Sequence, residues 1–270
     1  DNGSDDASRS LLEAVAGEGD LSLWSCEKNY RDSRFGLDWS GWLLMRYGHG
    51  HWCLTVDVDE LLVYPGMAQH PLPALTAALE QRGQRAFGAL MLDLFAKGPV
   101  SAQAYAAGQD PTEVLGWFDP GPYRAQRQAS QGNLWLQGGT RDRVFFADAP
   151  ERAPTLNKLP LVKWNWRYAY TNSTHALLPR WLNAEYDGPG GDHPCGVLLH
   201  TKFLPDAAAR AREEQARGQH FHTPFLFQGY YDVLMSGPDL WHREAVAYRG
   251  PEQLAQLGLV IHWSGRLRLL

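Results

Sequence analysis

The stretch His51 to Gly66, HWCLTVDVDELLVYPG, constrains the fold more than any other part of the chain. Trp52, Cys53, Leu54, Thr55 and Val56 form a short run of apolar and strand-forming residues and read as a strand. That strand runs straight into Asp57, Val58, Asp59 and Glu60. Two carboxylates one residue apart repel each other, and burying either without a counter-charge is costly. A divalent cation would supply the charge, and hard cations such as Mg2+ or Mn2+ prefer carboxylate oxygens. The same residues also suit a strand end that reaches water, with its acids simply hydrated. D-x-D is short and common, so the motif alone does not separate the two, and the context must.

A chain of 270 residues has room for one large domain or two small ones, with a substantial core. Apolar residues make up 44% and charged residues 20%, which argues for a folded globular protein and against disorder. The net charge of -5 offers no basic field, so nucleic acid is set aside as a partner. No apolar run approaches the length of a membrane span. A cytoplasmic location is expected, with peripheral membrane association left open. Cys26, Cys53 and Cys195 lack C-x-x-C spacing and read as buried thiols in a reducing compartment, not as a zinc site or disulfide framework. The 11 Trp offer faces that suit sugar rings, but most Trp pack in cores, so their number says little about carbohydrate.

The opening DNGSDD is a turn and helix-cap sequence. Asn-Gly favours a turn, and Ser4 or Asp5 would cap a helix expected from about Ala7 to Ala16, with Leu11, Leu12 and Val15 on one face. A β-α unit needs a strand before such a turn, so a first strand is expected to lie outside this sequence. Leu21 to Cys26 reads as a short strand, Asn29 to Gly36 as a polar loop, and Leu37 to Tyr47 as a helix ended by Gly48 and Gly50. The acids then stand at the carboxyl end of a strand in α/β order, where ligands bind in open α/β sheets. Pro71 to Gln84 reads as a helix, Ala86 to Leu94 as a buried strand, and residues 99–122 as loop. No linker or internal repeat divides the chain.

In the second half, Gly138-Gly139-Thr140-Arg141-Asp142-Arg143 precedes Val144-Phe145-Phe146. Leu156 to Trp164 is apolar except for Lys158 and Lys163, which suit phosphate or acceptor contacts but are more commonly snorkelling surface groups. Cys195 to Phe203 reads as a strand with His200 and Lys202 on one face. A His can complete an Asp/Asp metal site, and a Lys can meet phosphate as a point charge. A lone strand His is more often structural, and His175 of Ser173-Thr174-His175 is read that way. His220 and His222 flank Phe221 and read as a polar loop. Pro205 to Gly218 reads as a helix with a solvated charged face carrying Arg210, Arg212, Glu213, Glu214 and Arg217.

These blocks, taken in order, resemble a GT-A glycosyltransferase of the bacterial family-2-like group related to family 92. DNGSDD resembles the turn after that fold's second strand. RFGLDWSGWLLMRYGHGHWCLTVDVDELLVYP resembles the run into its D-x-D motif, and GGTRDRVF, KLPLVKW, STH and GVLLHTKF resemble later blocks. The likeness covers nearly the whole chain. It implies an α/β fold, a Rossmann-like mixed sheet flanked by helices, with its first strand missing here. It implies a single domain, 1–270, in which 1–98 form the nucleotide-sugar and metal half and 99–270 the acceptor half. It further implies a nucleotide-sugar donor, a glycan or other hydroxyl acceptor in surface polysaccharide synthesis, and Mn2+ or Mg2+. Carried over by position, Asp57 would contact ribose or metal, Asp59 would coordinate the metal, and His200 would complete its site. Lys202 or Arg141 would lie near the phosphates, and Asp1 and Asn2 near the nucleotide base. Asp142 would be the catalytic base, with Asp93 and Glu60 as rivals; a salt bridge to Arg141 or Arg143 is the structural alternative for Asp142. Glu60 more plausibly orients the turn or a neighbouring cation. A non-catalytic nucleotide-sugar or carbohydrate-binding module of the same fold is the alternative function. A phosphohydrolase using the Asp pair ranks last, because no further ligand pattern supplies a second metal.

Overall fold

The computed structural model describes residues 1–4, 7–217 and 228–263. Asp5 and the His220–His222 segment fall outside the described residues. Two helices come first, α1 (Ser8–Ala16) and α2 (Leu37–Tyr47). They are followed by β1 (Trp52–Leu54), β2 (Glu60–Val63), α3 (Leu72–Gln81) and β3 (Ala86–Phe95). The middle of the chain supplies α4 (Pro111–Val114), β4 (Trp117–Phe118), β5 (Tyr123–Arg127), β6 (Leu134–Gly138) and β7 (Asn157–Lys163). The remainder is β8 (Ala169–Tyr170), β9 (Leu177–Leu178), β10 (Cys195–His200), α5 (Ala207–Arg217), α6 (Gln228–Met235), β11 (Val246–Ala247) and α7 (Pro251–Gln256).

The protein is mixed α/β, with a mostly antiparallel main sheet in the order β1-β7-β3-β10-β2. β4 pairs with the far end of β3, and β11 pairs with β4. Among the strands of the described residues, the one parallel pair is β3 with β10. β1 and β3 both run antiparallel to β7, so β1, β3 and β10 share one direction and finish at the same end of the sheet. β3 is the spine. All ten residues of AFGALMLDLF are buried, as expected of a strand covered on both faces. Leu90, Leu92 and Leu94 are 1% exposed or less, and each contributes about 1.5–3 kcal/mol by burial.

β1 and β2 lie on opposite edges of this sheet. Residues 55–59 join them, so the acidic segment must cross the end of the sheet at which β1, β3 and β10 finish. The backbone of the crossing is tied at both sides: Thr55 N–H donates to Pro160 O (2.8 Å), and Thr201 N–H donates to Asp59 O (2.9 Å). The strand Glu60–Val63 itself is not legible in the sequence, because ELLV continues an apolar run already assigned to the strand before it.

Several expectations need correction. Leu21 to Cys26 forms no strand. Its backbone makes isolated bonds such as Cys26 N–H to Asp1 O (2.9 Å), not a ladder with a neighbour. α1 starts from Ala7, which has no side chain that could cap it, and Ser4, expected to cap it, lies three residues before with its N–H on the Asp1 carboxylate (3.0 Å). β10 ends at His200, so Lys202 sits in the turn beyond it and does not share a strand face with the histidine. Of the charged face expected on α5, Arg210 pairs with Asp206 (3.0 Å), while Arg212 and Glu213 are exposed; the side chains of Glu214 and Arg217 are outside the described residues. Cys195 is buried and Cys26 and Cys53 are half-buried, all three as free thiols.

The spine leaves no room for a side chain at Gly88. A Cβ there would stand 2.1 Å from the ring of Tyr186, itself 1% exposed. Gly88→Ala must therefore displace a packed aromatic ring or a central strand, at a cost of about 1–3 kcal/mol or more. Equilibrium denaturation is expected to show that loss; an unchanged midpoint would mean that the ring moves freely.

Candidate active site

The site begins as a row of side chains across three strands. His200 on β10 is in register with Asp93 on β3 and with Glu60 on β2. Residues paired in register project to the same face, so all three lie side by side. Lys158 on β7 pairs with Ala89, which stands four residues before Asp93 and so shares its face. This charged row lies directly beneath the crossing acidic segment.

Each charge in the row has a partner. Arg141 grips Asp93 with two bonds, Nε to Oδ2 at 2.8 Å and Nη2 to Oδ1 at 3.1 Å. His200 Nδ1 lies 2.6 Å from Asp93 Oδ1, and its Nε2 lies 3.3 Å from Asp59 Oδ2. Lys158 Nζ lies 2.8 Å from Glu60 Oε1 and 3.2 Å from Asp57 Oδ2. Glu60 also accepts from the Asp57 N–H (3.2 Å), which fixes the start of the turn. Burial works to raise the Asp93 carboxyl, but the Arg141 guanidinium and His200 hold it well below the ordinary range. Asp59 is treated the same way: burial raises it, and the bond and charge of His200 more than offset that. Burial disfavours charge on His200 and Lys158, yet their carboxylate partners raise both above their usual values.

Above the row is a cavity of about 930 Å3, at the upper end of small-molecule sites. Asp57, Asp59, Glu60, Lys158, His200 and Lys202 line it. The loop expected at 29–36 forms another wall, and its contribution was not legible from polarity alone. It brings Tyr30, Arg31, Asp32, Arg34 and Phe35 to the cavity. Among the described residues, the non-glycine residues with positive φ are Arg34 (49°), Phe35 (57°) and Ser173 (46°), and all three line it. Such backbone costs energy and persists where the surroundings hold it; it gathers at ligand sites. Neither Arg31 nor Lys202 has an ion-pair partner among the described residues; Lys202 Nζ lies 5.4 Å from the centre of the Tyr230 ring.

Other nominated residues lie elsewhere. Asp142 begins the second position of a π-helical turn, Arg141–Phe145, closed by Phe146 N–H to Arg141 O (2.9 Å). That turn aims Arg141 at Asp93 and Asp142 away from the cavity lining, where it pairs with Arg124. Arg143 pairs with Asp119 (3.0 Å), so neither expected arginine holds Asp142. Asp1 and Asn2 are not cavity residues: Asp1 meets Arg9 (3.2 Å), and Asn2 Nδ2 donates to Cys26 O (2.6 Å) and Lys28 O (2.9 Å). Asp93 and Glu60, the rival bases, are buried and engaged by cations. Arg141 is likewise buried and is engaged by Asp93 through Nε and Nη2, yet it also lines the cavity. Lys163 is a surface group paired with Glu80 (2.7 Å), whereas Lys158 is buried, contrary to the snorkelling reading. His175 bonds through Nδ1 to Asn157 O (2.5 Å) and also lines the cavity.

Among the described residues, no group of three or more His, Cys, Asp or Glu is arranged to hold a metal ion. The expected trio is divided, because the Lys158 ammonium draws Asp57 aside. Asp59 and His200 remain together and fit a hard cation as a pair: a carboxylate beside an imidazole nitrogen whose ring partner is already anchored on a second carboxylate. No helix among the described residues is long and apolar enough to cross a membrane. No family model, curated protein or solved structure matches the chain.

Two consequences can be measured. Lys158→Met leaves the Glu60 carboxylate, 1% exposed, buried without its cation, and should cost about 3–5 kcal/mol. Glu60→Gln/Lys158→Met should recover most of that in urea denaturation; equal losses in single and double variants would sink the ion-pair account. Second, burial and the nearby Lys158 charge push His175 down to about 3. The unfolded chain takes up this proton below about pH 6.5 and the folded chain does not, so stability falls as pH drops. The raised His200 adds stability that is already complete below that pH, and Asp59 and Asp93 weaken the fold only further down, through the unfolded carboxylate range. Between pH 6.5 and 5 the parent should lose about 2 kcal/mol that a His175→Asn variant keeps. Parallel pH–stability curves for the two proteins would remove His175 as the cause.

Proposed function

We propose that the chain is a metal-dependent glycosyltransferase of the GT-A type, moving a sugar from a nucleotide-sugar donor to a hydroxyl acceptor. One observation carries the reading. Strands β1, β3 and β10, which share one direction, end beneath a cavity whose lining includes Asp57, Asp59 and His200 together with Arg31 and Lys202, two cations with no ion-pair partner among the described residues. Ligands of open, mostly parallel α/β sheets bind at that end of the strands; this sheet is mostly antiparallel, and only its β3–β10 pair reproduces that arrangement. A cavity lined by cations without ion-pair partners among the described residues, beside a carboxylate and an imidazole that could hold a metal, suits a diphosphate ester better than it suits a neutral ligand. The sequence resemblance supports the same class.

Asp59 and His200 would hold a divalent cation such as Mn2+ or Mg2+. Bound there, the cation would neutralise the leaving diphosphate and orient it. Arg31 and Lys202 would meet the phosphate oxygens from the wall and the turn, Arg31 by its planar fork and Lys202 as a point charge. Asp57, its side chain 66% exposed even when paired with Lys158, would accept hydrogen bonds from a ribose or sugar hydroxyl. The acceptor proton needs a carboxylate in the cavity. Asp142 faces Arg124, so the role passes to Asp32, a lining carboxylate with no ion-pair partner among the described residues.

A second reading, a non-catalytic binding module of the same fold, is favoured by one fact. Each carboxylate nominated as base from the sequence, Asp142, Asp93 or Glu60, is held by a cation. One set of measurements separates the two. Thermal shift against a panel of nucleotide sugars should find a donor that stabilises the chain with Mn2+ present, by about 2.7 kcal/mol at a hundred times its Kd, and Asp59→Ala should abolish the metal-dependent part. Asp32→Asn should lower kcat by about 10²–10⁴ with little change in donor binding. Donor binding without turnover would select the module, and no metal-dependent stabilisation by any donor would overturn the proposal.

A further inference from the structure

Asp93 stands near the end of a wholly buried strand, is 5% exposed, and does not itself line the cavity, though it bonds two residues that do, Arg141 and His200. A carboxylate there is expensive to keep unless it does something an apolar residue could not. Its geometry is specific. Arg141 takes both carboxylate oxygens, and His200 Nδ1 takes Oδ1 at 2.6 Å. Nδ1 lies near a donor, Arg141 Nη2 at 3.4 Å, and much nearer an acceptor, Asp93 Oδ1 at 2.6 Å; a carboxylate gripped by a guanidinium only accepts, so the shorter contact assigns the proton to Nδ1. That leaves Nε2 as the ring nitrogen on the cavity side, 3.3 Å from Asp59. The Cα register of His200 with Asp93 and Glu60 sets the ring's position on the sheet, and the Asp93 bond sets its rotation.

We propose that Asp93 is a positioning residue: locked by Arg141, it orients the His200 ring so that Nε2 faces the cavity beside Asp59 as a ligand for a divalent cation. This rests on the metal role assigned above to Asp59 and His200. Two protein ligands suffice for a hard cation that fills its other positions with water and phosphate oxygens. A carboxylate behind the ligating imidazole fixes the tautomer and raises the basicity of the other nitrogen, and removal of such a partner costs 10–100-fold in metal affinity.

Asp93→Asn preserves the shape and reverses the bond. Arg141 would claim the amide oxygen, so the amide nitrogen would face His200 Nδ1, and the ring would carry its proton on Nε2, where the cation should bind. Asp93→Leu/Arg141→Met removes the ion pair altogether with little change in volume, a change that is often neutral for stability. Mn2+ binding, measured by loss of the free-ion EPR signal, should weaken at least 10-fold in either variant, while the thermal midpoint of the double variant stays close to the parent's. Ring 15N NMR of the metal-free proteins at pH 8 should show the proton on Nδ1 in the parent and on Nε2 alone in Asp93→Asn. If the double variant does not fold, Asp93→Asn carries both readouts; if Asp93→Asn does not fold, the double variant carries the Mn2+ readout. A folded variant that binds Mn2+ as the parent does, or keeps the parent's ring tautomer, overturns the proposal while leaving metal-dependent transfer intact. A parent that takes up no Mn2+ overturns this proposal together with the metal role in the function above.

Discussion

The buried carboxylate of Asp93 is the constraint on which the rest of the site depends. The strand around it is apolar and covered on both faces, so an ion there loses nearly all its hydration. The loss is several kcal/mol even after relaxation, which is a large part of the net stability of an ordinary domain. The molecule answers with two partners from separate parts of the chain. One is the neighbouring strand, which places His200 in register beside it. The other is a π-helical turn after β6, whose extra residue per turn aims Arg141 inward. π-Turns of this kind are uncommon and often mark functional positions. The turn is entered through Gly138, where a Cβ would stand 2.3 Å from Pro122 O, so the approach of backbone to backbone also requires a glycine. Core packing and site geometry are therefore one construction: the strand that carries the core also carries the carboxylate that orients the site.

The second ion cluster follows from topology. A connection between opposite edges of a sheet has to run over the strand ends, and a connection rich in acids then needs cations under it. Lys158 supplies one from β7, tying Glu60 and Asp57, and His200 supplies the other from β10, facing Asp59. The two acids of D-x-D consequently have different company. Asp57 is held by a lysine whose charge is also needed by Glu60, and most of its side chain stays in contact with solvent. Asp59 is held by an imidazole, which can exchange its proton for a metal. Among the described residues, Arg31 and Lys202 are then cavity-lining cations with no ion-pair partner, although the charge of Lys202 also favours the ionised Asp59.

How much of this was legible in the sequence depended on whether one residue or a pairing carried the information. The acidic tip of β1, the helix over Leu37–Tyr47, the buried strand at Ala86 and the histidine near the end of Cys195–His200 could all be read from local pattern. The pairing of Asp59 with His200 was expected only through the resemblance, because a lone strand histidine is by itself more often structural. Asp93 read as a rival base because a lone acid in an apolar strand has no visible partner, and its cation comes from 48 residues away. Lys158 read as a surface lysine because snorkelling is the ordinary fate of a lysine beside apolar residues; the acids that bury it come from the crossing loop. Asp142 failed for the converse reason. Its neighbours Arg141 and Arg143 were the obvious partners in sequence, but a π-helical turn spreads consecutive side chains in different directions, and each of the three finds a separate ion far along the chain.

The wall opposite the acids shows a different kind of cost. Arg34 and Phe35 follow one another in left-handed backbone, ahead of Gly36 in the same region, and Ser173, also with positive φ, lines the same cavity. Non-glycine residues in that conformation cost on the order of 1 kcal/mol each or more. The loop tolerates it because it is tied at several points: Phe35 N–H bonds Tyr30 O (2.9 Å), Asn29 Oδ1 caps the Arg31 N–H (2.9 Å), and Ser33 is buried. A loop with no task could relax by small changes in sequence, whereas this one holds Arg31, Asp32 and Phe35 against the cavity at the expense of its own backbone. The row beneath is similarly costly, with buried ions where apolar side chains would serve stability equally well. Strain on one wall and buried charge on the other are both expected where a sequence is held to a ligand's shape and charge, and neither is expected of a cavity left by imperfect packing.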